Sequence, residues 1–95
     1  MTTSRYDRIA AAALTAVYVS SNEPDTIGVE LMHEGKTLFD LCVGADGETT
    51  IMFDRVAGME FVLSDLLRVV DRYKGELDQW RAGLAAPGGI WAAEQ

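Results

Sequence analysis

Between residues 26 and 54 the hydrophobic positions alternate with the polar ones. Odd positions read Ile27, Val29 and Leu31, then Phe39, Leu41 and Val43, then Thr49, Ile51 and Phe53. Even positions read Thr26, Gly28, Glu30 and Met32, then Leu38, Asp40 and Cys42, then Thr50, Met52 and Asp54. A period of two marks half-buried strands. Three are predicted, at about 26–32, 36–43 and 48–54, with the odd face on the core. Pairing must keep odd with odd, because a one-residue slip turns the core face to solvent. A two-residue Glu34-Gly35 loop pairs odd with even and is rejected on that ground. A three-residue loop ending in glycine keeps parity, as a type I turn with a glycine bulge. His33-Glu34-Gly35 and Ala45-Asp46-Gly47 both fit. The expected rungs are Val29–Phe39–Phe53 and Ile27–Leu41–Ile51, in a three-stranded antiparallel meander.

On either side the period changes to that of a helix. Tyr6, Ile9, Ala10, Ala13 and Val17 recur at helical spacing behind Ser4-Arg5-Tyr6-Asp7, an approximate capping box. The β-branched run at Val17 to Val19 leaves the end of that helix open. Ser20 to Asp25 is a breaker cluster around Pro24. After the strands, Leu63, Leu66, Val70, Tyr73, Leu77 and Trp80 trace a second helical stripe. Ser64-Asp65 reads as its cap, and Met59 to Leu63 fits either a helix start or an extended approach. Pro87-Gly88-Gly89 stops the helix, and Ile90-Trp91 is a candidate anchor for a docked tail over 83–95. The predicted fold is α+β: one domain over 1–95, ordered α-β-β-β-α, an open-faced sandwich of two layers with both helices on one side of the sheet.

Size and charge narrow the function. At 95 residues the chain suits a single domain. The net charge is −7 and is unevenly spread. Residues 22–65 hold ten acids against two bases, a net −8, and the remainder holds six bases against five acids, a net +1. Nucleic-acid binding needs cations on phosphates and is disfavoured; a basic protein partner suits the acidic segment. The single cysteine allows no internal disulfide or multi-cysteine metal cage, and gives no sign of an oxidising compartment. Arg5 and Arg8 before the apolar run 9–19 loosely resemble a secretion leader, but Asp7 and the alanine-rich run argue for a folded segment. The run is too short to span a bilayer. A cytoplasmic protein without membrane contact is expected.

Candidate chemistry lies on the even face. Met, Leu and Cys there are studded with carboxylates, and apolar patches rimmed with charge mark interaction surfaces. Glu30, Met32, Leu38, Asp40, Met52 and Asp54 are the candidate partner-binding residues, unless the chain's own ends fold over them. Asp40 and Asp54, on diagonal positions, could serve as acid and base, but exposed sheet carboxylates are far more often solvated charge. His33 and Cys42 fall on opposite parities and form no nucleophile–base pair. Gly88-Gly89 lacks the strand context of a phosphate loop. No catalytic, metal or cofactor site is expected.

The run GKTLFDLCVGADGETTIMFD, followed by LSDLLRVVDRYKGELD, resembles the small immunity proteins of bacterial polymorphic-toxin and contact-dependent inhibition systems. The resemblance covers residues 26–80: a short acidic meander, an aromatic-aspartate pair, an acid-glycine turn and a closing helix. It implies a non-enzymatic inhibitor that neutralises a cognate toxin domain by tight binding. It transfers no individual residue, since the family varies in fold. The alternative is a small structural or regulatory domain that self-associates, as a homodimer, through its sheet face or its third strand.

Overall fold

The computed structural model describes residues 6–20, 26–44 and 46–89. Among these residues, six strands and one helix run in the order β1 (Asp7–Arg8), β2 (Thr15–Ser20), β3 (Ile27–His33), β4 (Lys36–Val43), β5 (Thr49–Phe53), β6 (Met59–Glu60) and α1 (Leu63–Ala85). A 3₁₀ turn at Ala11–Ala13 precedes β2. β2, β3, β4 and β5 form an antiparallel sheet in that order, and β1 pairs with β6 in a separate parallel ribbon.

The expected α-β-β-β-α order is therefore wrong at its start: there is no N-terminal helix among the described residues, and the meander has four strands. The apolar spacing from Tyr6 to Val17 mimics a helix, but two of its five positions, Ala10 and Ala13, are alanine, and so short a segment does not sustain a helix unaided. Thr15, Val17 and Val19 are β-branched, Tyr18 is aromatic, and such residues suit a pleated surface. Pairing with β3 satisfies their backbone: Tyr18 lies opposite Val29 and Ala16 opposite Leu31. The proposed cap at Ser4, most of the breaker cluster, Ala45 and the Ile90-Trp91 anchor lie outside the described residues.

The β4–β5 register is as expected, with Phe39 opposite Phe53 and Leu41 opposite Ile51. Gly47 closes that connection at φ 81°, its N–H donating to the Gly44 carbonyl at 3.0 Å. The β3–β4 register differs. Val29 faces Leu41 and Leu31 faces Phe39, two residues from the expected rung. The rejected two-residue loop is the one that occurs. Glu34 at φ 51° and Gly35 at φ 77° join His33 to Lys36, the positive-φ pair of a type I′ turn. Parity is restored by a bulge: Met32 pairs with Thr37 and Leu31 with Phe39, leaving Leu38 as the extra residue.

The bulge moves Leu38 off the even face. It is 1% exposed and belongs to the core cluster with Ile27, Val29, Leu31, Phe39, Leu41 and Val43. α1 lies across β3 and β4 and closes this cluster with Tyr73 and Leu77, helped by Leu66, Val69, Val70, Trp80 and Leu84. Each large side chain fully withdrawn from water there contributes about 1.5–3 kcal/mol. The expected helix stripe holds except at its first member: Leu63 is exposed. The helix begins at Leu63 with Val62 in the cap position and no side-chain cap bond, so Ser64-Asp65 sits inside the first turn. Met59 and Glu60 are extended, because β1 pairs with them. Residues 83–85 belong to α1 rather than to a docked tail. The helix stops before Pro87, where Gly88 at φ 89° and a Gly89 N–H to Ala86 carbonyl bond of 2.8 Å make a turn.

Two contacts set how α1 sits over the sheet. Arg81 Nε donates to the Gly44 carbonyl at 3.0 Å, tying one flank to the β4–β5 turn. Tyr18 donates to the Glu76 carboxylate, tying the opposite flank to β2. At its N-terminal end, Phe61 packs edge-on against Phe39, and Phe39 against Phe53.

Candidate functional site

The outer face of the sheet, away from α1, carries the predicted site. Glu30 on β3 stands directly opposite Asp40 on β4, and Asp40 directly opposite Met52 on β5, so one row crosses three strands. Met32 shares this face and faces Thr37 across the bulge. Asp54 follows β5, its backbone N–H held by the Leu38 carbonyl at 2.7 Å. Five of the six predicted residues, Glu30, Met32, Asp40, Met52 and Asp54, are thus on one surface. The sixth, Leu38, is buried on the other side, because alternation fails at a bulge.

Glu30, Thr37, Asp40, Met52, Phe53 and Asp54 line an open depression of about 390 Å³. Met52 is 64% exposed at its edge. Thr37 was missed for the reason that Leu38 was wrongly included: the bulge exchanges their faces. Glu30 and Asp40 are like charges in directly opposed positions, an arrangement that destabilises a sheet.

Cys42 lies on the same face, two residues beyond Asp40, and its Sγ donates to Asp40 Oδ2 at 3.8 Å. Burial pushes its thiol pKa up, and the Asp40 charge and hydrogen bond push it further. The thiol stays protonated at neutral pH and makes a poor nucleophile. His33, at the hairpin tip, has Nε2 3.8 Å from Glu34 Oε1 and lies at the far end of β3 from Gly28, the partner of Cys42. Among the described residues, no three His, Cys, Asp or Glu side chains are placed to hold a metal ion.

A second depression, about 400 Å³, lies between the 3₁₀ turn and α1, lined by Ala10, Ala11, Ala12, Asp65, Arg68, Val69 and Arg72. Its cations are engaged within the helix: Arg68 with Asp65 at 3.1 Å, Arg72 with Glu76 at 3.8 Å and with the Tyr73 ring at 5.0 Å. It is a packing seam between the N-terminal segment and α1.

No described helix is long and apolar enough to cross a membrane. No family model matches the chain, and neither a curated protein nor a solved structure matches it.

Proposed function

We propose that this chain is an acidic protein-binding module of the immunity type, a non-enzymatic inhibitor that neutralises a toxin domain by covering a basic surface on it. The observation that carries the reading is the open outer face, where exposed Met52 stands among Glu30, Asp40 and Asp54. A sheet that had only to fold gains nothing from opposing Glu30 to Asp40. A cationic partner turns that repulsion into attraction on binding, while Met52 and Met32 supply apolar contact, and methionine adapts well to irregular surfaces. Binding of this kind asks no group to react, which suits a Cys42 thiol held protonated.

A second reading, self-association through the edge strand β5, draws on the exposure of Ile51 and Phe53. Stacking two outer faces is a poorer version of it, since that sets Glu30, Asp40 and Asp54 against their own copies.

Co-expression with the product of the adjacent gene tests the proposal. The expected result is a growth defect relieved by this chain and a stable complex on size exclusion. An Asp40→Asn, Asp54→Asn double variant should weaken that complex roughly tenfold, about 1.4 kcal/mol. A harmless neighbour that forms no complex, or a complex indifferent to both aspartates, overturns it.

A further inference from the structure

The edge strand β5 is bare on the side facing α1. The odd face was expected to be core throughout, yet Ile51 is 41% and Phe53 52% exposed, because α1 covers β3 and β4 and stops short of β5. The N-terminal part of the helix flank above them is also apolar. Counting back from Arg81, which is tied to the β4–β5 turn, helical spacing puts Lys74, Val70, Leu67 and Leu63 on that flank. Leu63 and Leu67 are 66% and 57% exposed. The result is an open apolar trough with β5 as its floor and α1 as its wall. On the opposite edge, Tyr18 of β2 fills the equivalent space against Tyr73, Trp80 and Glu76.

The backbone of β5 has a definite phase. The Asp54 N–H points to β4, and in an antiparallel ladder alternate residues share that direction. Thr50 and Met52 therefore bond to β4, while the amides and carbonyls of Thr49, Ile51 and Phe53 face outward. No proline, lysine or acid within Thr49–Phe53 guards the edge, although natural edges are ordinarily guarded in this way. Charge selects the occupant. A second copy paired antiparallel about Ile51 would place Glu48 against its Asp54 at both ends, between chains that each carry −7.

We propose that β5 accepts an extended segment of a partner protein as a fifth strand, one that alternates apolar residues with lysine or arginine. The apolar side chains enter the trough over Ile51, Phe53, Leu63 and Leu67. The basic ones emerge on the outer face beside Asp54 and Glu48, in reach of Asp40. Main-chain bonds give such strand addition its affinity and the alternation gives its specificity. This deepens the protein-binding reading above and rests on it.

The probe is a capped peptide that alternates lysine with valine, against one of equal composition with the alternation broken. Only the alternating peptide should bind saturably, and amide exchange should slow at Thr49, Ile51 and Phe53 but not at Thr50 or Met52. Ile51→Pro removes an outward N–H that no ladder bond uses, a position where an edge strand tolerates proline. It should keep the fold by thermal melt and weaken peptide binding at least tenfold. Equal binding of both peptides, unchanged exchange at the odd residues, or binding intact in folded Ile51→Pro overturns the proposal. So does a dimer by sedimentation that already protects those amides without peptide, or binding that appears only when residues 90–95 are removed, because the edge is then occupied by a second copy or by the chain itself. If the co-expressed complex needs Asp40 and Asp54 but not Ile51, the edge proposal fails while the binding module stands. If it needs none of them, both fail.

Discussion

Gly28 shows how closely single residues are constrained. It sits on β3 opposite Cys42, and a Cβ there would stand 2.9 Å from the Leu41 carbonyl oxygen and 3.1 Å from Cys42 Sγ. The first contact is backbone and cannot swing aside. Gly28→Ala should destabilise the protein by about 1–3 kcal/mol, read as a lower denaturation midpoint with unchanged slope. Tyr18 offers a pH readout. Its hydrogen bond to Glu76 is the main cause of a pKa pushed up from 10.0 to about 12, with burial and the Glu76 charge adding to it. The folded state thus holds this proton more tightly than the unfolded chain. That stabilisation is complete below pH 10 and is lost as pH rises from 10 through 12. Tyr18→Phe should flatten the fall in stability across that window, measured by urea melts at stepped pH. A variant as pH-sensitive there as the parent would remove Tyr18 from the account.

At the scale of elements, the bulge in β4 and the start of α1 carry the clearest consequences. Leu38 is a core residue, so Leu38→Ala should cost about 2–5 kcal/mol, a large share of a small domain's stability. An effect on partner dissociation alone, with stability unchanged, would return Leu38 to the outer face. α1 begins behind Val62, which makes no cap bond. Val62→Ser should gain about 1 kcal/mol, raising Tm by about 4–8 °C. The same elements mark what the sequence could tell. Strict alternation made β3, β4 and β5 legible, and Gly47 fixed the β4–β5 register. The β3–β4 register was missed because a two-residue turn plus a bulge preserves parity just as a three-residue loop does. β2 was missed because alanine fits any regular structure, and its spacing outweighed the β-branched run that followed. The shared face of Glu30, Met32, Asp40, Met52 and Asp54 was legible, since period two holds at each of them. The exposure of Ile51 and Phe53 was not, because it depends on how far α1 reaches across the sheet.

For the molecule as a whole, charge and shape separate. The acidic segment supplies most of the sheet, while α1 balances its acids with Arg68, Arg72, Lys74 and Arg81. The outer face is therefore the acidic pole. Charges at an interface rim act mainly on encounter, and salt screens them within about 10 Å at 0.1 M. Association with a basic partner should slow as salt rises while dissociation changes little, and Asp40→Asn or Asp54→Asn should reduce the slope. Stopped-flow mixing at graded salt measures both rates. An association rate indifferent to salt would mean that the acidic pole serves solubility alone.

The bulge at Leu38 also bears on how this hairpin can vary by descent. Its turn has one residue fewer than parity asks, and its second arm has one more. The two departures cancel. Losing Leu38 alone, or gaining one residue beside Gly35 alone, would put Phe39, Leu41 and Val43 on the wrong side of β3. Losing one and gaining the other restores every facing pair. Among relatives of this chain, length changes at the hairpin should therefore arrive as compensated couples, a short turn with a long arm or a long turn with a short one.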